Sequence, residues 1–243
     1  MIKILEYTTE VPLKMIGHLS GICWGADTTN YEKNVKRAWD CINSFHGRTE
    51  EFPEIYCTID GYSAKCLREL YTHIGGSPTR LQASTRYIDY EKGFKTILPP
   101  KVESSKEATA SWNAAVDAVR DAMADLKNFG VPKEDYTNLL PLAYESNMVW
   151  KLNSRTLITF MNKRLCGRAY WEIRKLANEL KTNLREYSEE WKAFADAVYV
   201  PECEKYKFLN PNLCFCCETR GCGKYPYIKN IEVSVKKDET GNV

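Results

Sequence analysis

Histidine, net charge and long apolar runs are all scarce in this chain of 243 residues. The three histidines, His18, His46 and His73, stand singly, and a lone histidine is more often structural or solvated than functional. A formal net charge of +2 leaves no bulk electrostatic footprint for nucleic acid or a membrane surface. No segment reaches membrane-spanning length, and the opening "MIKILEYTTEVPLK" lacks the apolar core of a signal peptide. A cytoplasmic protein is expected by default. No repeat and no low-complexity stretch interrupts a composition of 44% hydrophobic and 27% charged residues, which is that of a soluble globular protein.

Cysteine is present, unevenly. Cys23, Cys41, Cys57, Cys66 and Cys166 are scattered, and scattered single thiols in a reducing compartment read as reduced and mostly buried. Cys203, Cys214, Cys216, Cys217 and Cys222 crowd together near the end. Cys214-Phe-Cys-Cys217 contains a C-x2-C knuckle, with Cys222 downstream and Cys203 upstream. Four thiolates at such spacings can close a tetrahedral zinc site, so Cys203, Cys214, Cys217 and Cys222 are the candidate ligands and Cys216 the spare. An iron–sulfur cluster and free thiols are the alternatives.

The rest of the chain reads as α+β, helix-rich with a few strands. "EIYCTID" (54–60) alternates Ile55, Cys57 and Ile59 with polar neighbours, as a half-buried strand does, and Gly61 is expected to break it. Ser63 can cap a helix carrying Ala64, Leu67, Leu70 and Tyr71. Trp112, Ala115, Val116, Val119, Met123 and Leu126 form a helical stripe over 107–128, with Gly130 at its C-terminal stop. A second long helix should start near Ser154 and run past Trp171 to Leu184, kinked near Gly167. The expected divisions are 1–200, a cysteine-rich extension at 201–230 and a frayed charged tail at 231–243.

Two stretches carry candidate chemistry. In "THIGGSPTRLQASTRY" (72–87), Ser84 and Arg86 share a face if extended and suit a phosphate, while Gly75 and Gly76 allow close backbone approach to a ligand. The bland alternative is a surface turn. In "NSRTLITFMNKRLCGRAYWEI" (153–173), Arg155, Lys163, Arg164 and Arg168 sit on an otherwise apolar helix, Arg164 and Arg168 one turn apart. Such arginines must reach a counter-charge, a ligand or solvent.

Taken in order, these stretches resemble the flavin-dependent thymidylate synthases. The family's histidine-bearing loop, strand, helix with an Arg-His-Arg motif and Ser-x-Arg-Tyr group correspond to His46, "EIYCTIDGYS", "LYTHIGG" and "STRY". "LLPLAYESNMVWKLNSRTLITFMNKRLCGRAYWEI" resembles the family's Leu-Pro-Leu segment and long helix. The resemblance spans about residues 1–200 and implies an antiparallel sheet with long helices, a homotetramer with shared sites, and reductive methylation of dUMP by methylenetetrahydrofolate, FAD and NADPH. It implies catalytic roles for Arg164, Ser84 and His46. The substrate would meet Ser84, Arg86, Gln82, Glu69 and Arg164, and the cofactors His46, His73, Asn153 and Arg155, with Arg80 compensating for lost arginines. Where the family has Arg-His-Arg this chain has Thr72-His73-Ile74, and Gln82 and Thr137 replace a glutamate and an arginine. These departures leave open a different pyrimidine nucleotide as substrate, or a non-enzymatic binding protein with a zinc tail. The near-neutral charge argues against nucleic acid as a partner.

Overall fold

The computed structural model describes residues 1–73, 79–88, 90 and 93–231. The expected phosphate-turn glycines Gly75 and Gly76, and the charged tail beyond residue 231, lie outside these. The elements, in chain order, are β1 (Ile2–Ile4), α1 (Pro12–Cys23), α2 (Tyr31–Asn43), β2 (Glu54–Ser63), α3 (Ala64–Leu70), β3 (Thr79–Gln82), α4 (Pro100–Glu103), α5 (Lys106–Asn128), α6 (Lys133–Tyr136), β4 (Glu145–Asn153), α7 (Ser154–Arg164), α8 (Trp171–Tyr187) and α9 (Glu189–Val198). The four strands form one antiparallel sheet in the order β1-β2-β4-β3. Among the described residues no helix is long and apolar enough to cross a membrane.

Alternation builds the sheet. Ile55, Cys57 and Ile59 of β2 pair with Leu152, Trp150 and Met148 of β4, and all six side chains are buried on one face. The opposite face carries Thr58, Val149, Lys151 and the exposed Leu81. The buried face is covered by α7 through Leu157, Phe160 and Met161 and by α8 through Ile173, Leu176, Leu180 and Leu184, with α1, α2 and α9 completing the main core. A smaller core gathers Tyr90, Phe94, Val116, Met123, Tyr136 and Tyr144 around α5. Ser105 caps α5 by accepting from the Ala108 amide, and Gly130 adopts the positive φ of 79° that its position past the helix end requires.

Two sequence expectations are corrected here. Gly61 does not end β2: with φ of 74° it forms a bulge, and the register shifts between Ile59 and Tyr62. The extra residue returns Tyr62 to the buried face, where its hydroxyl donates to Glu179 at 2.6 Å. The expected long kinked helix is two helices, α7 and α8, separated at 165–170. Arg168 therefore lies in the connection, off the helix it was expected to share with Arg164.

Candidate active site

Two strand-to-helix junctions, at opposite ends of the antiparallel β2–β4 pair, set the site. Ser63 at the end of β2 caps α3 by accepting from the Cys66 amide, and Asn153 at the end of β4 caps α7 by accepting from that of Thr156. Because β2 and β4 are antiparallel, with Ser63 opposite Glu145 and Asn153 opposite Glu54, α3 and α7 start at opposite ends of the sheet and meet at their finishing ends. The first junction is further held by the buried carboxylate of Glu172, which accepts from the Ser63 amide and hydroxyl at 2.6 Å each and from Tyr170 at 3.0 Å.

At the finishing end, Arg164 meets the residues that follow α3. Its Nε donates to His73 Nε2 at 3.1 Å and its Nη2 to Thr72 Oγ1 at 3.3 Å, while Glu69 Oε2 lies 3.9 Å away. Among the described residues Nη1 has no partner. His73 packs edge-on against Phe160 at 5.0 Å, and Phe160 against Trp150 at 5.4 Å. Burial, reinforced by the Arg164 charge, lowers the His73 pKa to about 4. The ring is thus neutral near pH 7, and accepting at Nε2 puts its proton on Nδ1.

The edge strand β3 adds a second cation. Arg80 lies opposite Trp150 in the ladder, so both project from the helix-covered face. Its guanidinium carbon stacks 3.5 Å from the Tyr71 ring centroid, and its Nε is buried with no hydrogen-bond partner among the described residues. Two residues on, Gln82 accepts from the Tyr71 hydroxyl at 3.2 Å. Of the residues singled out in sequence, Glu69, His73, Arg80, Gln82 and Arg164 thus belong to the sheet edge and the C-terminal ends of α3 and α7. Tyr71 and Thr72 join them. Tyr71 had been read only as part of the α3 apolar face, although aromatic position and adjacency to His73 were visible.

The other candidates lie elsewhere. Arg155 opens α7, about 14 Å of helix from Arg164 at 1.5 Å per residue, and donates to Glu51 at 2.5 Å. Glu51 belongs to the short turn that the exposed His46 begins. The neighbouring Glu50 was not singled out; burial, opposed by Arg155, raises its pKa to about 7. Ser84 and Arg86 do not meet the condition of an extended backbone; the turn alternative is the one observed. They form a turn in which Ser84 Oγ accepts from the Arg86 amide at 3.2 Å and its carbonyl from the Ile88 amide at 3.1 Å. The Arg86 guanidinium pairs with Glu134 at 3.1 Å with both side chains largely exposed. Thr137 is buried, its hydroxyl donating to the Lys133 carbonyl at 2.8 Å.

The cysteines sort differently from their spacing. Cys203, Cys217 and Cys222 line a cavity of about 210 Å³ between the 165–167 connection and the cysteine-rich segment, together with Cys216 and Cys166. Cys214 is not among its lining residues, and its thiol donates back to the Pro211 carbonyl at 3.6 Å. Among the described residues no three His, Cys, Asp or Glu side chains converge as placed to hold an ion.

Residues 3–188 match the family described as thymidylate synthase complementing protein. A flavin-dependent thymidylate synthase of Geobacter sulfurreducens is 36% identical over 123 residues, which is 50% of this chain and 52% of that one. The alignment thus spans about half the length of that curated relative. A flavin-dependent thymidylate synthase of Clostridium tetani is 26% identical over 208 residues, covering 76% of this chain and 82% of that one. Among solved structures, a UMP/dUMP methylase of Streptomyces cacaoi bound with 5-Br dUMP superposes with a TM-score of 0.67 at 15% identity, over 82% of this chain and 96% of that one. Thymidylate synthase X of Helicobacter pylori with FAD and dUMP superposes with a TM-score of 0.60 at 18% identity, over 75% of this chain and 92% of that one. At those identities the structures speak for the fold. The four-stranded antiparallel sheet covered by helices defines an α+β protein of that architecture, and the chain belongs to the flavin-dependent thymidylate synthase family.

Proposed function

We propose that the protein is a flavin-dependent thymidylate synthase, converting dUMP to dTMP with methylenetetrahydrofolate as carbon donor and NADPH as reductant. The observation that carries this reading is Arg164. Its guanidinium is steadied by a neutral imidazole and a hydroxyl, has its one carboxylate neighbour at 3.9 Å, and keeps Nη1 free among the described residues. A cation so held can face a pyrimidine edge and stabilise negative charge as it develops on the ring. His73 contributes by accepting from Nε, which fixes the guanidinium plane without adding a second positive charge.

The residues present fit a flavin at the sheet edge. Arg80 Nε, a buried donor with no hydrogen-bond partner among the described residues, would donate to an acceptor on the cofactor. Arg80 and His73 at this end, and Asn153, Arg155 and His46 at the other end of α7, would hold FAD. When bound, FAD supplies the hydride-transfer chemistry that these side chains lack. Thr72 does not substitute for the family arginine, because its hydroxyl donates to the Glu69 carbonyl at 2.8 Å and accepts from Arg164.

Ser84 and Arg86 would hold the nucleotide phosphate, with Gln82 and Glu69 bordering the pocket. For this Arg86 must exchange Glu134 for phosphate, and an exposed ion pair holds it by only about 0–1 kcal/mol. A charge-assisted arginine–phosphate contact is stronger. The two ends of α7 and the Ser84–Arg86 turn do not converge in one copy, which favours a homotetramer with sites completed between subunits.

The purified protein, given FAD, dUMP, methylenetetrahydrofolate and NADPH, is expected to bind flavin and form dTMP. Failure of both overturns the reading. A methylated product from UMP but none from dUMP would move the substrate to another pyrimidine nucleotide.

A further inference from the structure

We propose that Cys166, Cys203, Cys216 and Cys222 form a four-thiolate site for one zinc ion, which staples the cysteine-rich segment to the connection that follows α7. The argument starts from what that segment lacks. From Pro201 to Ile231 no apolar side chain is fully buried, and the one buried residue is Glu204. Its backbone is nevertheless organised around the cavity. The Phe215 amide donates to the Cys203 carbonyl at 3.1 Å, the Cys216 amide to the Pro226 carbonyl at 2.8 Å, and the Ile228 amide to the Cys216 carbonyl at 3.0 Å. A segment with so little core needs a cross-link to hold such an arrangement, and metal binding can supply the folding free energy. Disulfides do not supply it, since all five of its cysteines are free.

The cavity itself selects the ligands. Cys166 and Cys203 reach it from the main chain and the segment's start, and both are half-buried. Cys222 lies against the connection: a Cβ on Gly167, next to Cys166, would stand 3.6 Å from its sulfur. Cys216 is half-buried, with its backbone fixed on both sides, and its sulfur would come within 2.9 Å of a Cβ on Gly221. The glycine at 221 is what leaves room for that thiol. Cys217 lines the cavity and is exposed, as Cys222 is, but lacks the approach to Gly167 that places Cys222 against the connection, and Cys214 is turned away onto Pro211. The thiols as placed are too far apart to share an ion. The space of about 210 Å³ is several times the roughly 30 Å³ that one water occupies in the liquid, so there is room for an ion, and closing the site requires the thiols to change χ1 rotamer toward it. Four protein thiolates leave no open position, so the site is structural. Cys166 lies two residues beyond Arg164, so zinc occupancy also fixes the end of the catalytic helix; this last clause rests on the function proposed above.

The test reads metal content, not turnover, so it succeeds or fails independently of the enzyme assignment. Full-length protein purified without added metal should carry about one zinc per chain. Cys166→Ser and Cys203→Ser should each lower occupancy at least tenfold against a competing chelator, while Cys214→Ser and Cys217→Ser leave it unchanged. Cobalt substituted for zinc should give thiolate charge-transfer bands that weaken in Cys166→Ser and persist in Cys214→Ser. Retention of zinc in Cys166→Ser with loss in Cys214→Ser overturns the site. Iron in place of zinc, or a metal-free protein whose segment still resists proteolysis, overturns it as well.

Discussion

The two ends of α7 carry an arginine each, and the chain treats them oppositely. Arg155 at the first turn is neutralised by Glu51 at 2.5 Å, with Glu50 close by. Arg164 at the last turn is steadied by His73 and Thr72, which bear no charge, and its nearest carboxylate lies at 3.9 Å. Position on the helix sharpens the contrast. A cation at a C-terminus is already favoured by the helix dipole, so Arg164 can be left without a full counter-charge there, whereas Arg155 at the N-terminus cannot. What distinguishes the two arginines is therefore what pairs with each: a carboxylate at Arg155, and uncharged groups at Arg164.

The largest effect expected from this contrast is on catalysis. Arg164→Ala should lower kcat on the order of 10²–10³-fold, the usual consequence of removing a group that stabilises developing charge. Arg155→Ala should lower it less than tenfold and act mainly through cofactor affinity. Steady-state kinetics at saturating FAD separate the two. Equal losses in kcat would mean that both ends reach the reacting atoms, and the distinction drawn from their pairing would fall.

Much of this arrangement could be read from the sequence, and the part that could not shares one cause. The alternation of Ile55, Cys57 and Ile59, the Ser63 cap and the α5 stripe ending at Gly130 depend on neighbours in sequence, and each is observed. The bulge at Gly61 depends on the register against β4, which no local pattern contains. The break at 165–170 was hidden because apolar residues continue across it, from Leu165 to Trp171 and Ile173, so the stripe does not stop where the helix does. In the candidate site, Arg164 and His73 were singled out from residue type and family resemblance, and the structure brings them into contact. Their contact across 91 positions, the Arg80–Tyr71 stack and Cys166 in the cysteine-lined cavity are products of tertiary packing.

At the N-terminal end, a smaller effect should appear in stability. With its pKa raised from 4.5 to about 7, Glu50 binds a proton more tightly folded than unfolded. Stability contributed by this group is therefore full below about pH 4.5 and is lost as pH rises through about 7. Glu50→Gln should remove that slope and stabilise the protein at pH 8 by on the order of 1–3 kcal/mol, since each pKa unit corresponds to about 1.4 kcal/mol. Thermal unfolding at pH 5 and pH 8 is the measurement. Equal melting shifts at both values would show that Glu50 is ionised throughout, with Arg155 shared between two carboxylates.

The smallest effect belongs to the C-terminal end and has the opposite sign with pH. His73 has its pKa lowered from 6.5 to about 4, so the unfolded chain binds the proton more readily than the folded one. The stability this residue contributes is complete above about pH 6.5 and declines as pH falls towards 4. At pH 5.5 the loss is about 1 kcal/mol, from one unit below the unfolded value. Protonation would also turn the acceptor at Nε2 into a donor facing the Arg164 Nε–H, so the contact and the charge fail together. His73→Gln keeps an acceptor without a titratable ring. It should flatten the stability profile between pH 6.5 and 5 while retaining most of the turnover at pH 8. A variant that keeps the wild-type slope would assign that slope to other groups, and a large loss of turnover at pH 8 would mean that the imidazole does more than orient Arg164.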